Sequence, residues 1–520
     1  MDRRSRLVVA LLSVLLLAAG CTLPSFAPEG SDEPATGGAS PAVSAPAAKW
    51  KPCPDVPEDR VGRAAPGMRY DCATVTVPRD WAAPAGGETY GIDLIRIRSD
   101  RQKAGDRIGS LLLNPGGPGG SGIDVAVYLS FGEKMGGLPT AVTDKFDIVG
   151  FDPRGVGESD AVKCISSKDQ DAYFAAEPDP ASQAAFDEIA ALHKRIADAC
   201  AQKYGDRLRT FSTEQAARDL DALRSAVGDE KLTYLGYSYG TLLGATYAQL
   251  FPKNVRALVL DGAVDPTEGF VSGSEQQAKG FERAFTNFTK WCSQNAGKCP
   301  IAPDARGAVT DALAKAKASP VRGSDGREAT AGWIFVGLIS SLYTETGWTS
   351  LAEAIDSLQT GDAEGIFELA DQYAERELDG TYSNLFDANL TVNCADTDAA
   401  PTAEEVRRLQ GEWRTKYPLF GAALAVGMLP CTYWSGQRDP YPVGKAEGAP
   451  PIVVVGTTGD PATPYENTAD LAKMLGVGHV LTWEGEGHTA YPSTTCIKTA
   501  VDSYLIDLKV PQEGLRCPLK

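Results

Sequence analysis

Gly236-Tyr237-Ser238-Tyr239-Gly240 follows the apolar run 232–235 and precedes a helix-like run, 241–250. It is a G-x-S-x-G sequence in the order strand, turn, helix. Glycines on either side allow a tight, strained turn that lifts the serine hydroxyl off the end of a sheet. Chance alone supplies this pentapeptide in many long chains. Its meaning therefore depends on whether the remaining residues provide a base, an acid and an oxyanion hole.

A nucleophilic serine needs an imidazole to take its proton and an acid to orient that imidazole. Three histidines are present. His193 lies in the amphipathic stretch 184–201 and reads as a surface or half-buried helix residue, while His479 opens a strand run. His488 sits in Glu484-Gly485-Glu486-Gly487-His488-Thr489, directly after the last strand candidate. Loops leaving the carboxyl ends of strands are where an open α/β sheet carries its functional groups, so His488 is the expected base. Asp460 ends Val455-Gly456-Thr457-Thr458-Gly459-Asp460, after the strand run 452–455. Its rivals for the acid are Asp261 and Asp265, after the preceding strand. Asp460 is preferred because it lies a short helix from His488 and opens the rigid loop Pro461-Ala462-Thr463-Pro464. The order Ser–Asp–His is that of the α/β-hydrolases, and differs from the chymotrypsin and subtilisin orders.

An oxyanion hole requires backbone N–H groups aimed at the developing charge. Tyr239, next to the nucleophile, is one expected donor. The glycine-rich run Asn114-Pro115-Gly116-Gly117-Pro118-Gly119-Gly120-Ser121-Gly122 supplies the other, at Gly117 with Gly116 as the alternative. The run lacks the G-K-[ST] ending of a phosphate loop.

Around these motifs, strand-like and helix-like runs alternate, as an α/β sheet requires. The runs 73–77 and 90–98 read as an antiparallel start. Buried strands are expected at 109–113, 146–151, 232–235, 255–260, 452–455 and 479–483. The interval from 260 to 452 is far too long for one crossover helix. It contains helix-like runs at 274–292, 308–318, 330–343, 350–358 and 362–377. The reading is a core of 50–265 and 431–520 with an inserted helical cap of 266–430.

Composition bounds the environment. The 520 residues are 43% hydrophobic and carry a formal charge of −18, which argues against a nucleic-acid partner. Arg3, Arg4 and Arg6 precede an apolar run, 7–17, too short to cross a bilayer. Small residues then lead to Cys21. This looks like a bacterial lipoprotein signal over 1–21, although leucine is more usual where Ala18 stands; the alternative is a plain secretory signal. Residues 22–49, rich in Pro, Ala, Ser and Gly, read as a flexible tether holding the body away from a membrane. Beyond Cys21, ten cysteines remain. In an oxidising compartment the simplest pairing is between neighbours: Cys53–Cys72, Cys164–Cys200, Cys292–Cys299, Cys394–Cys431 and Cys496–Cys517. Sequence does not fix that connectivity. No cysteine or histidine spacing makes a zinc site.

Taken in order, Asn114–Gly122, the run Gly150-Phe151-Asp152-Pro153-Arg154-Gly155-Val156-Gly157-Glu158-Ser159, the serine pentapeptide, the Asp460 loop and Gly487-His488-Thr489 resemble the secreted tripeptidyl aminopeptidases of bacteria, in the proline-iminopeptidase-like branch of the α/β-hydrolases. The resemblance runs from about Trp50 to the C-terminus. It implies an α/β-hydrolase fold with a mostly parallel sheet and a large cap. It also implies a serine exopeptidase that releases short peptides, usually tripeptides, from free N-termini without a cofactor. That branch often has His-Gly-Gly-Pro at the oxyanion loop; Pro115 replaces the histidine here, and both glycines stay. Arg154 reads as the bearer of a structural salt bridge. An aminopeptidase must also bind an ammonium, for which Glu275 and Glu282 in the first cap helix are candidates, with solvated helix charges as the alternative. The expectation is a monomer on the outer face of the cytoplasmic membrane, anchored through Cys21 or released. The rival readings are an esterase or lipase, an endopeptidase on the same triad, and a non-catalytic binding module.

Overall fold

The protein is described from a computed structural model that covers residues 40, 42–53, 65–103 and 105–519. The expected signal, Cys21 and most of the tether lie outside the described residues.

Ten strands form one sheet in the order β1-β2-β3-β5-β4-β6-β7-β10-β11-β12. They are β1 (Lys51–Pro52), β2 (Met68–Pro78), β3 (Thr89–Ser99), β4 (Gly109–Asn114), β5 (Phe146–Phe151), β6 (Leu232–Tyr237), β7 (Val255–Asp261), β10 (Ile452–Gly459), β11 (Gly478–Glu486) and β12 (Leu515–Cys517). The first three join antiparallel, and β3 pairs antiparallel with β5. Every later pairing is parallel. β4, β5 and β6 are buried along their whole length, because helices cover both faces of a parallel sheet.

On those faces lie α1 (Gly122–Leu129), α2 (Thr140–Thr143), α5 (Thr213–Ala226), α6 (Tyr239–Leu250), α16 (Glu466–Leu475) and α17 (Thr495–Asp507). One core cluster joins Leu112, Val149, Tyr234, Leu243, Leu258 and Val454 on one side of the sheet. Another joins Leu113, Ile148, Leu235, Val259 and Val455 on the other. Consecutive residues of each strand fall into opposite clusters, as the pleat dictates.

The long interval after β7 holds α7 (Phe270–Gln294), α8 (Ala305–Ala318), a hairpin of β8 (Val321–Arg322) with β9 (Glu328–Ala329), α9 (Ala331–Leu342), α10 (Gly347–Gln359), α11 (Glu364–Ala374), α12 (Leu385–Asp396), α13 (Ala403–Lys416), α14 (Gly421–Val426) and α15 (Leu429–Thr432). A second insertion, between β5 and β6, packs with it: α3 (Ser167–Ala175) and α4 (Gln183–Tyr204). Phe174 joins the cluster of Phe281, Trp333 and Phe367, Phe186 packs with Val406 and Trp413, and Leu192 and Ile196 pack with Leu390 and Trp434. The roof over the sheet is thus built from two separate stretches.

The structure joins the five neighbouring cysteine pairs, Cys53–Cys72, Cys164–Cys200, Cys292–Cys299, Cys394–Cys431 and Cys496–Cys517. The end of the expected tether departs from a free linker. Ser40 N–H donates to Leu250 O (2.7 Å), Val43 N–H to Asp221 Oδ2 (2.6 Å) and Ala48 N–H to Ala226 O (2.8 Å). Val43, Ala45, Ala48 and Trp50 are half-buried against the core. Their spacing gives this extended strap an apolar edge that its Pro and Ala content conceals.

Candidate active site

β6 delivers Ser238 to the carboxyl edge of the sheet, where the chain turns at once into α6. Ser238 has φ 54° and ψ −125°, a backbone conformation a non-glycine residue adopts only when its surroundings over-determine it. Here they do. Ser238 N–H donates to Asp261 O at 2.8 Å, and its own carbonyl accepts from Thr241 N–H (2.8 Å) and Thr241 Oγ1 (2.7 Å). A Cβ on Gly236 would lie 2.3 Å from Gly240 O, and one on Gly240 2.8 Å from Asn114 O. The turn therefore tolerates only glycine at both flanking places.

His488 follows β11, and Asp460 follows β10. Nδ1 of His488 lies 2.9 Å from both carboxylate oxygens of Asp460. Asp460 is fully buried. Its Oδ1 accepts the N–H groups of Ala462 (2.9 Å) and Thr463 (2.8 Å); Oδ2 accepts Thr463 Oγ1 (3.1 Å) and Thr489 N–H (3.3 Å). With Nδ1 engaged, the buried Nε2 has no hydrogen-bond partner among the described residues. That nitrogen is the one left to accept a proton. Burial disfavours the imidazolium, but the charge of Asp460 and its hydrogen bond outweigh it, with Asp261 adding, so the His488 pKa lies above its ordinary value of 6.5.

The cap reaches this histidine directly. Tyr343, just past α9, accepts the His488 N–H on its carbonyl at 2.7 Å. Its ring stands edge-on to the imidazole, 5.2 Å between centroids at 87°. No local sequence signal marks Tyr343 for this role.

The oxyanion loop leaves β4 beside the turn. Asn114 Oδ1 accepts Gly116 N–H at 3.0 Å, and Gly116 and Gly117 have φ of 97° and 111°. A Cβ on Gly116 would sit 2.6 Å from Tyr237 O and 3.0 Å from Tyr239 N. The loop thus passes in contact with the Ser238 turn, and Gly117 lines the same cavity as Ser238 and His488. Farther from the chemistry, Arg154 is buried and forms two 2.6 Å contacts with Asp219, through Nε and Nη2.

The other sequence candidates fall elsewhere. Asp265 Oδ1 holds Thr267 through N–H (2.9 Å) and Oγ1 (2.8 Å), and Asp261 binds backbone N–H groups after His488. Neither hydrogen-bonds the imidazole. Glu275 pairs with Lys416 (2.9 Å), and Glu282 with Arg306 (3.1 Å) and Leu419 N–H (3.0 Å). The structure does not bring either into the lining of the cavity, because those partners draw both side chains onto neighbouring cap elements.

That cavity, of about 800 Å³, is lined from below by Pro115, Gly117, Ser238 and His488 and otherwise by the cap. Its walls are mostly apolar, with Phe335, Ile339, Leu369 and Phe386 among them. Among the described residues the lining holds one carboxylate, Glu177, and no lysine or arginine. Glu177 lies on the loop between α3 and α4; its Oε1 takes both Asp179 N–H (3.0 Å) and Lys317 Nζ (2.9 Å). His193 lines the cavity too, 3% exposed, with Nδ1 unpartnered and burial lowering its pKa to about 3. The sequence expectation of a surface or half-buried His193 is thus corrected, because the second insertion folds this face of α4 against the cap; Glu177 was not singled out. The one available signal was the interval from Phe151 to Leu232, which is also too long for a single crossover.

A strained serine between an oxyanion loop and an aspartate-held imidazole, all at the carboxyl edge of a mostly parallel sheet, defines a serine hydrolase of α/β-hydrolase type. Comparison with known proteins narrows the class. A family model for the alpha/beta hydrolase fold matches residues 109–332, and one for TAP-like protein matches residues 417–517. The chain is 37% identical to the serine protease Hip1 of Mycobacterium tuberculosis, over 90% of each chain. It is 36% identical to carboxylesterase B of the same organism over 99% of each, and 30% identical to the tripeptidyl aminopeptidase of Streptomyces lividans over 86% of this chain and 83% of that one. The chain belongs to this family of α/β-hydrolase serine peptidases.

Proposed function

We propose that this protein is an extracytoplasmic serine exopeptidase that releases short peptides, tripeptides in the main, from free N-termini. Ser238 Oγ attacks the scissile carbonyl while His488 Nε2 takes its proton, and Asp460 holds the tautomer through Nδ1. The N–H groups of Gly117 and Tyr239 receive the oxyanion. His488 then protonates the leaving amine, and water resolves the acyl-enzyme by the same path in reverse.

One observation carries the aminopeptidase reading. Among the described residues the lining of the cavity beside Ser238 holds one carboxylate, Glu177, and no lysine or arginine. Lys317 pairs with its Oε1 from outside the lining, so a substrate's ammonium would be met at Oε2, and the lining offers a substrate carboxylate no partner of opposite charge. A cavity of about 800 Å³ is also of ligand-pocket size, suited to a few residues of an unfolded chain. Five disulfides and the basic–apolar N-terminus support a place outside the cytoplasm, with Cys21 as the lipid anchor. Among the described residues no helix is long and apolar enough to cross a membrane. The apolar walls favour a second reading, an esterase on the same triad.

Three substrates separate the readings: a tripeptidyl amide with a free amine, its N-acetylated form, and a short acyl ester. The expected order of kcat/KM puts the free amine at least tenfold above the blocked peptide. Ester-only turnover would establish the esterase instead. Ser238→Ala is expected to lose roughly 10⁵-fold in kcat on whichever substrate is used.

A further inference from the structure

A second carboxylate lies beneath the catalytic residues, and the chemistry above leaves it unused. Asp261 ends β7 and is fully buried. It stands in register with Tyr237 on one side and Val455 on the other, so it sits between the strand that delivers Ser238 and the strand that delivers Asp460. Its main-chain oxygen accepts the N–H of Ser238 at 2.8 Å. Its side chain reaches the other half of the site: both oxygens lie 3.0 Å from Ala490 N, and Oδ2 accepts Tyr491 N–H at 2.7 Å.

We propose that Asp261 is a positioning residue that ties the nucleophile turn to the histidine loop, setting the distance between Ser238 and His488. The inference rests on the triad assignment made above. Two strained residues lie in the two segments that Asp261 binds, one segment through its main-chain oxygen and the other through its side chain. Ser238 (φ 54°) hangs from its carbonyl, and Thr489 (φ 66°), between His488 and the clamped Ala490, is the other left-handed non-glycine residue of the site. Such conformations persist when neighbouring contacts over-determine them, and Asp261 supplies contacts to both segments.

The residue type matters as well as the place. A carboxylate is acceptor-only and can face two N–H groups at once, whereas an asparagine amide would turn a donor toward a donor. The titratable groups around the imidazole are Asp460 and Asp261, with Tyr343 edge-on and Tyr237 behind Asp261. Burial raises the Asp261 pKa to about 7, against the lowering pull of the Tyr491 and Ala490 N–H groups and of His488. Its negative charge adds to that of Asp460 in holding the proton on His488.

Asp261→Asn tests this in the full chain, with Ser238→Ala as control and active-site phosphonate labelling as a substrate-independent readout. The variant is expected to lower kcat and the labelling rate about 100-fold, the usual cost of misplacing catalytic groups by about an ångström. KM should stay within about threefold, so that the loss falls on kcat. A variant with wild-type kcat, or one whose loss falls on KM with kcat unchanged, would overturn the proposal. Should Asp261→Asn fail to fold, hydrogen exchange on the wild type decides: the Ala490 and Tyr491 amides are expected to be protected, and exchange at open-loop rates would overturn it. Full labelling of Ser238→Ala would instead strike at the triad assignment.

Discussion

In the proposed triad, neighbours fix the acid and the imidazole and leave His488 Nε2 free to react. The two carboxylate oxygens of Asp460 meet His488 Nδ1 and also accept from Ala462, Thr463 and Thr489, which fixes the imidazole plane. The consequence is a pH signature. A general base works only when neutral, and the His488 pKa is held above 6.5 by the Asp460 charge and hydrogen bond, with Asp261 adding, despite burial. The kcat/KM profile is therefore expected to fall tenfold per unit as pH drops through a midpoint above 6.5. The same linkage has a stability side. A raised folded-state pKa contributes stability that is fully present below the unfolded value and lost as pH rises through the folded one. The proposed base, His488, would thus work in the range where its contribution to stability is fading. Initial rates on a non-titrating ester, from pH 5 to 9, locate the midpoint; one below 6.5 would show that Asp460 does not dominate.

At the scale of elements, the cap grips the machinery as well as covering it. α12 runs along the oxyanion loop: Asn389 Nδ2 donates to Pro118 O at 3.0 Å, and a Cβ on Gly119 would lie 2.6 Å from Leu385 O and 3.0 Å from Asn389 N. Gly119 has φ 104°. Gly119→Ala would therefore strain the backbone and push the loop off α12 together. The expected outcome is a loss of about 100-fold in kcat, the scale of losing one oxyanion donor, with modest loss of melting temperature. Unchanged kcat in a folded variant would mean that α12 does not set the loop. Elsewhere on the same helix Asp387 accepts Cys164 and Ile165 N–H (2.6 and 2.8 Å), so one helix joins the oxyanion loop to the second insertion.

For the molecule as a whole, the described chain from Ser40 onward forms one compact unit. The strap 42–49 lies against α5 and α6 rather than hanging free. Ser40 meets Leu250, the last residue of α6, whereas Ser238 immediately precedes the first. Removing residues 1–49 is expected to cost about 2 kcal/mol, from lost apolar burial and the Val43–Asp221 hydrogen bond. Urea denaturation would read this as a lower midpoint, with kcat at 25 °C unchanged. An unchanged midpoint would show that the strap contributes nothing.

Eight of the ten strands of the sheet, the serine turn, the glycine loop, and Asp460 and His488 as residues that follow strands were legible in the chain; the short edge strands β1 and β12 and the strand order were not. These are local signals: a period of two, a glycine forced by close approach, a polar residue after an apolar run. Contacts between segments far apart in the chain emerge from the folded arrangement alone. Asp261 on Ala490 and Tyr491, Tyr343 on His488, and α12 on the oxyanion loop leave no periodic mark. Glu275 and Glu282 illustrate the same limit, because a carboxylate on a helix reads alike whether it faces a cavity or a lysine. Glu177 stands in the cavity because a second insertion folds over the serine, and local physics specifies a turn or a strand but not which distant surface will cover it.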